Sequence, residues 1–133
     1  MAKPIHIELF YSEGRGPQLV NLYWKFRNQI LQAAEFLLPD AVSGEDLRHV
    51  RFVRPQVLMI TPEEVINYAK LDYYAEYGPA ALFDLEKSEW LKSFSQGHLK
   101  NCSHYQLFFY DQLVDVIAEG LEFEKGKFDP SCA

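Results

Sequence analysis

The sequence is poor in the features that usually announce a function. Its 133 residues hold only two cysteines, Cys102 and Cys132. Two thiols do not make a disulfide framework, so a reduced, cytoplasmic protein is expected. No apolar run approaches the roughly 18 residues that a membrane span needs. The opening Met-Ala-Lys-Pro-Ile-His lacks the apolar core of a secretory signal. Positive charge is also short: 13 Lys and Arg face 19 Asp and Glu, a formal net charge of −6. That field repels phosphate backbones and argues against non-specific nucleic-acid binding. Internal repeats, low-complexity tracts and linkers are missing, and no catalytic, cofactor or metal signature stands in their place.

Aromatic residues are abundant instead, with ten Phe, eight Tyr and two Trp. They supply large buried areas to a core, and Tyr and Trp also mark contact surfaces. The length fits one domain spanning residues 1–133, long enough to bury a core without disulfides or a metal.

Periodicity then gives an order of elements. Residues 4–11 alternate as a half-buried strand, and Gly14 and Gly16 break it. Pro17 suits the first position of a helix. Over residues 17–38, Leu19, Tyr23, Phe26, Ile30, Ala33 and Leu37 keep a three-or-four spacing, with Lys25, Gln29, Gln32 and Glu35 on the polar side. This predicts a helix laid against a sheet and stopped by Pro39. Residues 50–60 are strand-like, either one strand bent at Pro55 or two short ones. Thr61, Pro62 and Glu64 open a second predicted helix that runs to Gly78. A third is predicted over residues 84–95.

The stretch from Ser103 to Phe123 is the longest apolar run. Residues 104–110 are apolar on both alternations, which predicts a central strand. Beyond Asp111 two readings stay open: a helix with Gln112, Asp115, Glu119 and Glu122 as its polar stripe, or a strand paired back through a turn at Asp111-Gln112. The hairpin is preferred because Val114, Val116 and Ile117 are β-branched, and it would set Asp115 and Glu119 on the wetter face. The predicted class is α+β: a mixed sheet of about four strands, in the order β-α-β-α-α-β-β, with helices over one face.

Several groups are candidates for a site. The loop Glu13-Gly-Arg-Gly16 could bring Arg15 to an anion at a helix start, although it matches no full phosphate-binding motif. Arg48, His49, Arg51 and Arg54 form the basic cluster, which either binds an acidic ligand or balances surface carboxylates. His98, Cys102 and His104 are zinc-type ligands at short spacing but lack a second pair. Cys102 with His104 or His98, oriented by Asp111, is a possible nucleophile without a surrounding signature. Tyr68, Tyr73, Tyr74 and Tyr77, with Trp90, suggest a contact patch.

The expected function is accordingly non-catalytic: a cytoplasmic protein acting through protein–protein contact as a homodimer. The alternative is a binder, or a minor enzyme, for a small anionic ligand held by Arg15, Arg48 and Arg51. No cofactor or metal is expected.

Overall fold

The computed structural model describes residues 2–5, 10, 17–24, 32–38, 46–66 and 82–129. Their strands are β1 (Lys3–Pro4), β2 (Gln18–Tyr23), β3 (Ala33–Leu37), β4 (Arg48–Val53), β5 (Val57–Pro62), β6 (Leu82–Asp84), β7 (Ser103–Phe108), β8 (Gln112–Ala118) and β9 (Gly120–Lys125). One short helix, α1, covers Glu89–Lys92, and single 3-10 turns cover Glu63–Val65 and Gly97–Asn101. The strands form a five-stranded sheet, β1-β6-β7-β8-β5, and a four-stranded sheet, β2-β3-β4-β9. Every pairing is antiparallel.

This overturns the α+β expectation and its mixed sheet. The largest correction falls on residues 17–38. Gln18 pairs with Leu37 and Tyr23 with Ala33, so the two ends of the predicted helix are two strands of one sheet. A bulge supplies one helix-like interval, while Tyr23, placed on the helix stripe with Leu19, lies on the opposite face of β2. Leu19 faces Phe36 and Asn21 faces Glu35, which leaves Val20 as the extra residue. Leu19 and Leu22 can then both turn inward although they lie three apart, as helical neighbours would. Residues 25–31, including Phe26 and Ile30, lie outside the described residues.

The other two predicted helices shrink as well. Thr61 and Pro62 end β5 rather than open a helix, and residues 67–81 lie outside the described residues. Of the helix predicted over 84–95, only α1 remains, capped by Ser88, whose Oγ accepts from the Leu91 N–H. Of the strand predicted over 4–11, only Pro4 falls in a described strand, β1, which pairs with β6; Phe10 lies in the core, and residues 6–9 and 11 lie outside the described residues.

The hairpin reading of the Ser103–Phe123 stretch holds. β7 and β8 pair through a two-residue turn at Tyr110-Asp111, one residue before the expected Asp111-Gln112, closed by the Phe109 N–H on the Gln112 carbonyl. β7 is central, between β6 and β8. Pro55 does divide two strands, and it does more than interrupt them. β4 belongs to one sheet and β5 to the other. β8 and β9 change sheets at the same level, at Glu119. There the Glu119 N–H bonds the Val53 carbonyl and the Gln56 N–H bonds the Ile117 carbonyl. Arg54, at φ 47°, makes the bend, and Gln56 and Arg54 are tied by a side-chain bond of 3.3 Å. The two sheets are thus joined by one bent strand pair, in which the chain passes from one sheet to the other at the bend.

The core lies between the sheets. Ala34, Phe36, Val50 and Phe52 meet Leu82, Leu107, Val114, Val116 and Ala118. Phe10 packs edge-on to Phe36 and Phe109, with centroids 5.1 and 5.4 Å away. Such ring pairs add about 0.5–1.5 kcal/mol each beyond the area they bury. The strand alternation that sends these side chains inward sends others to the two outer faces, where the polar chemistry lies.

Candidate functional site

The outer face of the four-stranded sheet carries a row of polar residues in register. Asn21 on β2 faces Glu35 on β3, Glu35 faces His49 on β4, and His49 faces Glu124 on β9. Glu35 is 0% exposed. Its Oε1 accepts from Asn21 Nδ2 at 2.8 Å and from the Tyr23 hydroxyl at 3.0 Å. Its Oε2 accepts from the Phe128 N–H at 2.8 Å. A buried carboxylate is tolerated only when its oxygens are bonded in this way.

The cover over this row is the chain after β9. Gly126, at φ +92°, turns the backbone off its ladder, a conformation open to glycine at little cost. Its carbonyl accepts from His49 Nδ1 at 2.9 Å. The Phe128 ring is buried against Tyr23 (5.2 Å) and His49 (5.6 Å). His49 Nε2 lies 3.4 Å from Glu124. Burial, followed by the bond to Glu35, pushes the Tyr23 hydroxyl above its ordinary pKa.

The outer face of the five-stranded sheet holds a second buried network. His104 Nε2 is 2.6 Å from Asp115 Oδ1, and Gln106 Nε2 donates to the same oxygen at 2.9 Å. Ser88 Oγ is 2.7 Å from His104 Nδ1. Trp90 of α1 stacks edge-on over the imidazole at 4.8 Å. A serine, a histidine and a carboxylate in a chain invite comparison with a hydrolase triad. Here the order of the ring nitrogens is reversed, and the serine oxygen already accepts the helix-capping N–H. The arrangement holds α1 onto the sheet. Asp115, expected on the wet face, is 2% exposed: it sits on the outer side of β8, but α1 and its flanks cover that side.

The sequence-derived candidates separate in space. Arg51 is paired with Glu122 and Arg54 with Glu119. Arg48 lies beside Lys125 in register and lines a shallow cleft with Asp46, Leu47 and Gly126. Arg15 lies outside the described residues, as do Tyr68, Tyr73, Tyr74 and Tyr77. Trp90 is half-buried on His104 and Phe94. The zinc-type trio does not converge: His98 bonds Gln56 Oε1 at 3.0 Å, His104 bonds Asp115, and Cys102 packs with Leu91, Leu99 and Ile117. Among the described residues no three such side chains gather around a metal-sized space. Burial pushes the Cys102 thiol upward, with Glu119 adding to the shift and Lys87 opposing it. That is the reverse of what a nucleophile needs. Asp111, the proposed orienter, is exposed at the hairpin turn.

β5 is an outer strand of a different character. It pairs with β8 on one side, and no described strand pairs with its other edge. From Pro55 to Pro62 it carries no charge. Met59 is 44% exposed, Ile60 42%, and Val65 just beyond it 64%. Outer strands normally carry charge or are covered, because bare edges recruit other strands.

Neither the Glu35 row nor the β5 edge was singled out from sequence. Glu35 looked like the polar side of a helix, and residues 50–60 looked like one strand bent at Pro55 or two short ones. Comparison with protein-family models, curated proteins and solved structures found no match to the chain.

Proposed function

We propose that the protein acts through protein–protein contact, as a homodimer in which β5 of one copy pairs antiparallel with β5 of the next. The observation that carries this reading is the uncharged, apolar outer strand. A second copy is favoured as the occupant because a chargeless edge meets no like-charge repulsion against itself. The register points the same way. With the Glu63 N–H bonded to the Asp111 carbonyl, the odd-numbered residues of β5 direct their backbone groups at β8. Those of Leu58 and Ile60 are left toward the outer edge. The role is non-catalytic and the proposed location cytoplasmic, on the composition alone.

Sedimentation at micromolar concentration tests it. The wild type should run as a dimer, and Ile60→Lys, which puts charge on the edge, should run as a folded monomer. A monomeric wild type would refute the reading. A second reading, a small anion at the cleft, is favoured by Arg48 and Lys125 lying side by side; Asp46 in the same cleft weighs against it. Phosphate and citrate should then raise the melting temperature of the wild type, and that rise should vanish in Arg48→Ala.

A further inference from the structure

We infer that the outer face of the four-stranded sheet is a socket for an extended peptide bearing an aromatic residue, and that Gly126–Phe128 is its built-in occupant. The socket walls come from three adjacent strands: Asn21 and Tyr23 of β2, Glu35 of β3 and His49 of β4. The occupant is held by features that many peptides could supply. They are one main-chain carbonyl for His49 Nδ1, one main-chain N–H two residues later for Glu35 Oε2, and one ring between Tyr23 and His49. This is recognition of main-chain groups by side chains on a sheet face, with a single pocket for one ring.

The occupant is also built to leave. The ladder with β4 ends at Lys125, and residues 127–129 belong to no strand. The turn off the ladder is made at Gly126, whose own N–H bonds the Leu47 carbonyl at 2.7 Å. Once that bond opens, the segment from Gly126 onward can swing while β9 stays paired through Lys125. Departure would expose a carboxylate already oriented by Asn21 and Tyr23 and short of one donor. That favours an incoming N–H and rejects an acidic group. A tethered occupant acts at millimolar effective concentration, so a partner's segment gains access only when the tail is loosened. The partner that fits is a protein presenting an extended Gly-x-aromatic segment. This inference does not depend on pairing through β5.

The test uses full-length protein and a fluorescent peptide with the sequence of residues 124–130. Phe128→Ala should bind this peptide at least about tenfold more tightly than the wild type does, because its own tail competes less. Adding Glu35→Gln, or replacing the phenylalanine of the peptide by alanine, should remove the binding. A folded Phe128→Ala that ignores the peptide, or that binds it equally well with Glu35→Gln, overturns the proposal. Hydrogen exchange on the wild type provides a check that needs no variant. Amides of residues 126–129 should exchange through local opening, ahead of the β4–β9 ladder. Exchange only at the rate of the ladder would mean that the segment never leaves, and would also overturn the proposal.

Discussion

The Phe128 N–H donates to Glu35 Oε2 at 2.8 Å across 93 residues of sequence. It ties the end of the described chain to the second strand of its sheet and lets a carboxylate sit with no solvent contact. Replacing Glu35 by alanine strips acceptors from Asn21, Tyr23 and the Phe128 amide together. The expected loss is about 3 kcal/mol, the scale for leaving buried donors unsatisfied. Urea denaturation with an unchanged slope would report it. A loss below about 0.5 kcal/mol would show that water replaces the carboxylate without penalty.

The network on the opposite sheet makes a parallel prediction. Asp115→Ala leaves His104 Nε2 and Gln106 Nε2 without their shared acceptor. It should destabilise the protein by about 2–3 kcal/mol. Ser88→Ala removes a helix cap and the contact to His104 Nδ1, and should cost about 1 kcal/mol. If Ser88→Ala proved as damaging as Asp115→Ala, the serine would be doing more than capping. Both are read from denaturant midpoints.

Alkaline pH should weaken the fold. Burial raises the pKa of Cys102 above its ordinary 9.0, and burial raises those of Tyr23 and Tyr105 above 10.0. A group that holds its proton more tightly in the folded state contributes stability that is complete below its unfolded pKa. That stability is lost as pH rises through the folded value. Unfolding free energy should therefore decline from about pH 9 upward, Cys102 first and the tyrosines after it. Cys102→Ala should flatten the earliest part of that decline. A curve that is level from pH 8 to 11 would contradict the assignment. In the same range, native Cys102 should react slowly with iodoacetamide, since burial disfavours the thiolate.

The ring cluster sets the largest single effect. Phe36 is fully buried and touches Phe10, Phe109 and Phe123 at centroid distances of 5.1, 6.1 and 6.4 Å. Phe36→Ala should cost about 3–5 kcal/mol, and near-UV circular dichroism should show whether the remaining rings keep their packing.

How much of this was legible depends on where the physical signal was local. The β7–β8 hairpin could be read because β-branched residues and a two-sided apolar run point to the same structure. The break at Pro55 was visible because proline cannot donate to a ladder, but the change of sheet was not: that depends on Glu119 meeting Val53, more than sixty residues apart. Residues 17–38 misled in part because the bulge at Val20 sets Leu19 and Leu22 on one face at a helical interval, and because the strand partners are each other. The Glu35 row inherited that error. A carboxylate on the polar side of a helix and one buried beneath a returning tail look alike in sequence. The signal that could have separated them was Gly126 followed by an isolated Phe128 in an otherwise polar tail.

The bent strand pair at Arg54 and Glu119 has a kinetic consequence. Neither sheet can close without the other, because residues 48–62 and 112–125 belong to both. Pairing β4 with β9 and β5 with β8 brings together segments some sixty residues apart, whereas the β7–β8 hairpin closes over two residues. Closing so long a loop is slow, and chains dominated by such non-local pairing fold in roughly milliseconds to seconds. Loss of that pair should likewise release both sheets at once, so the described strands should unfold in one transition.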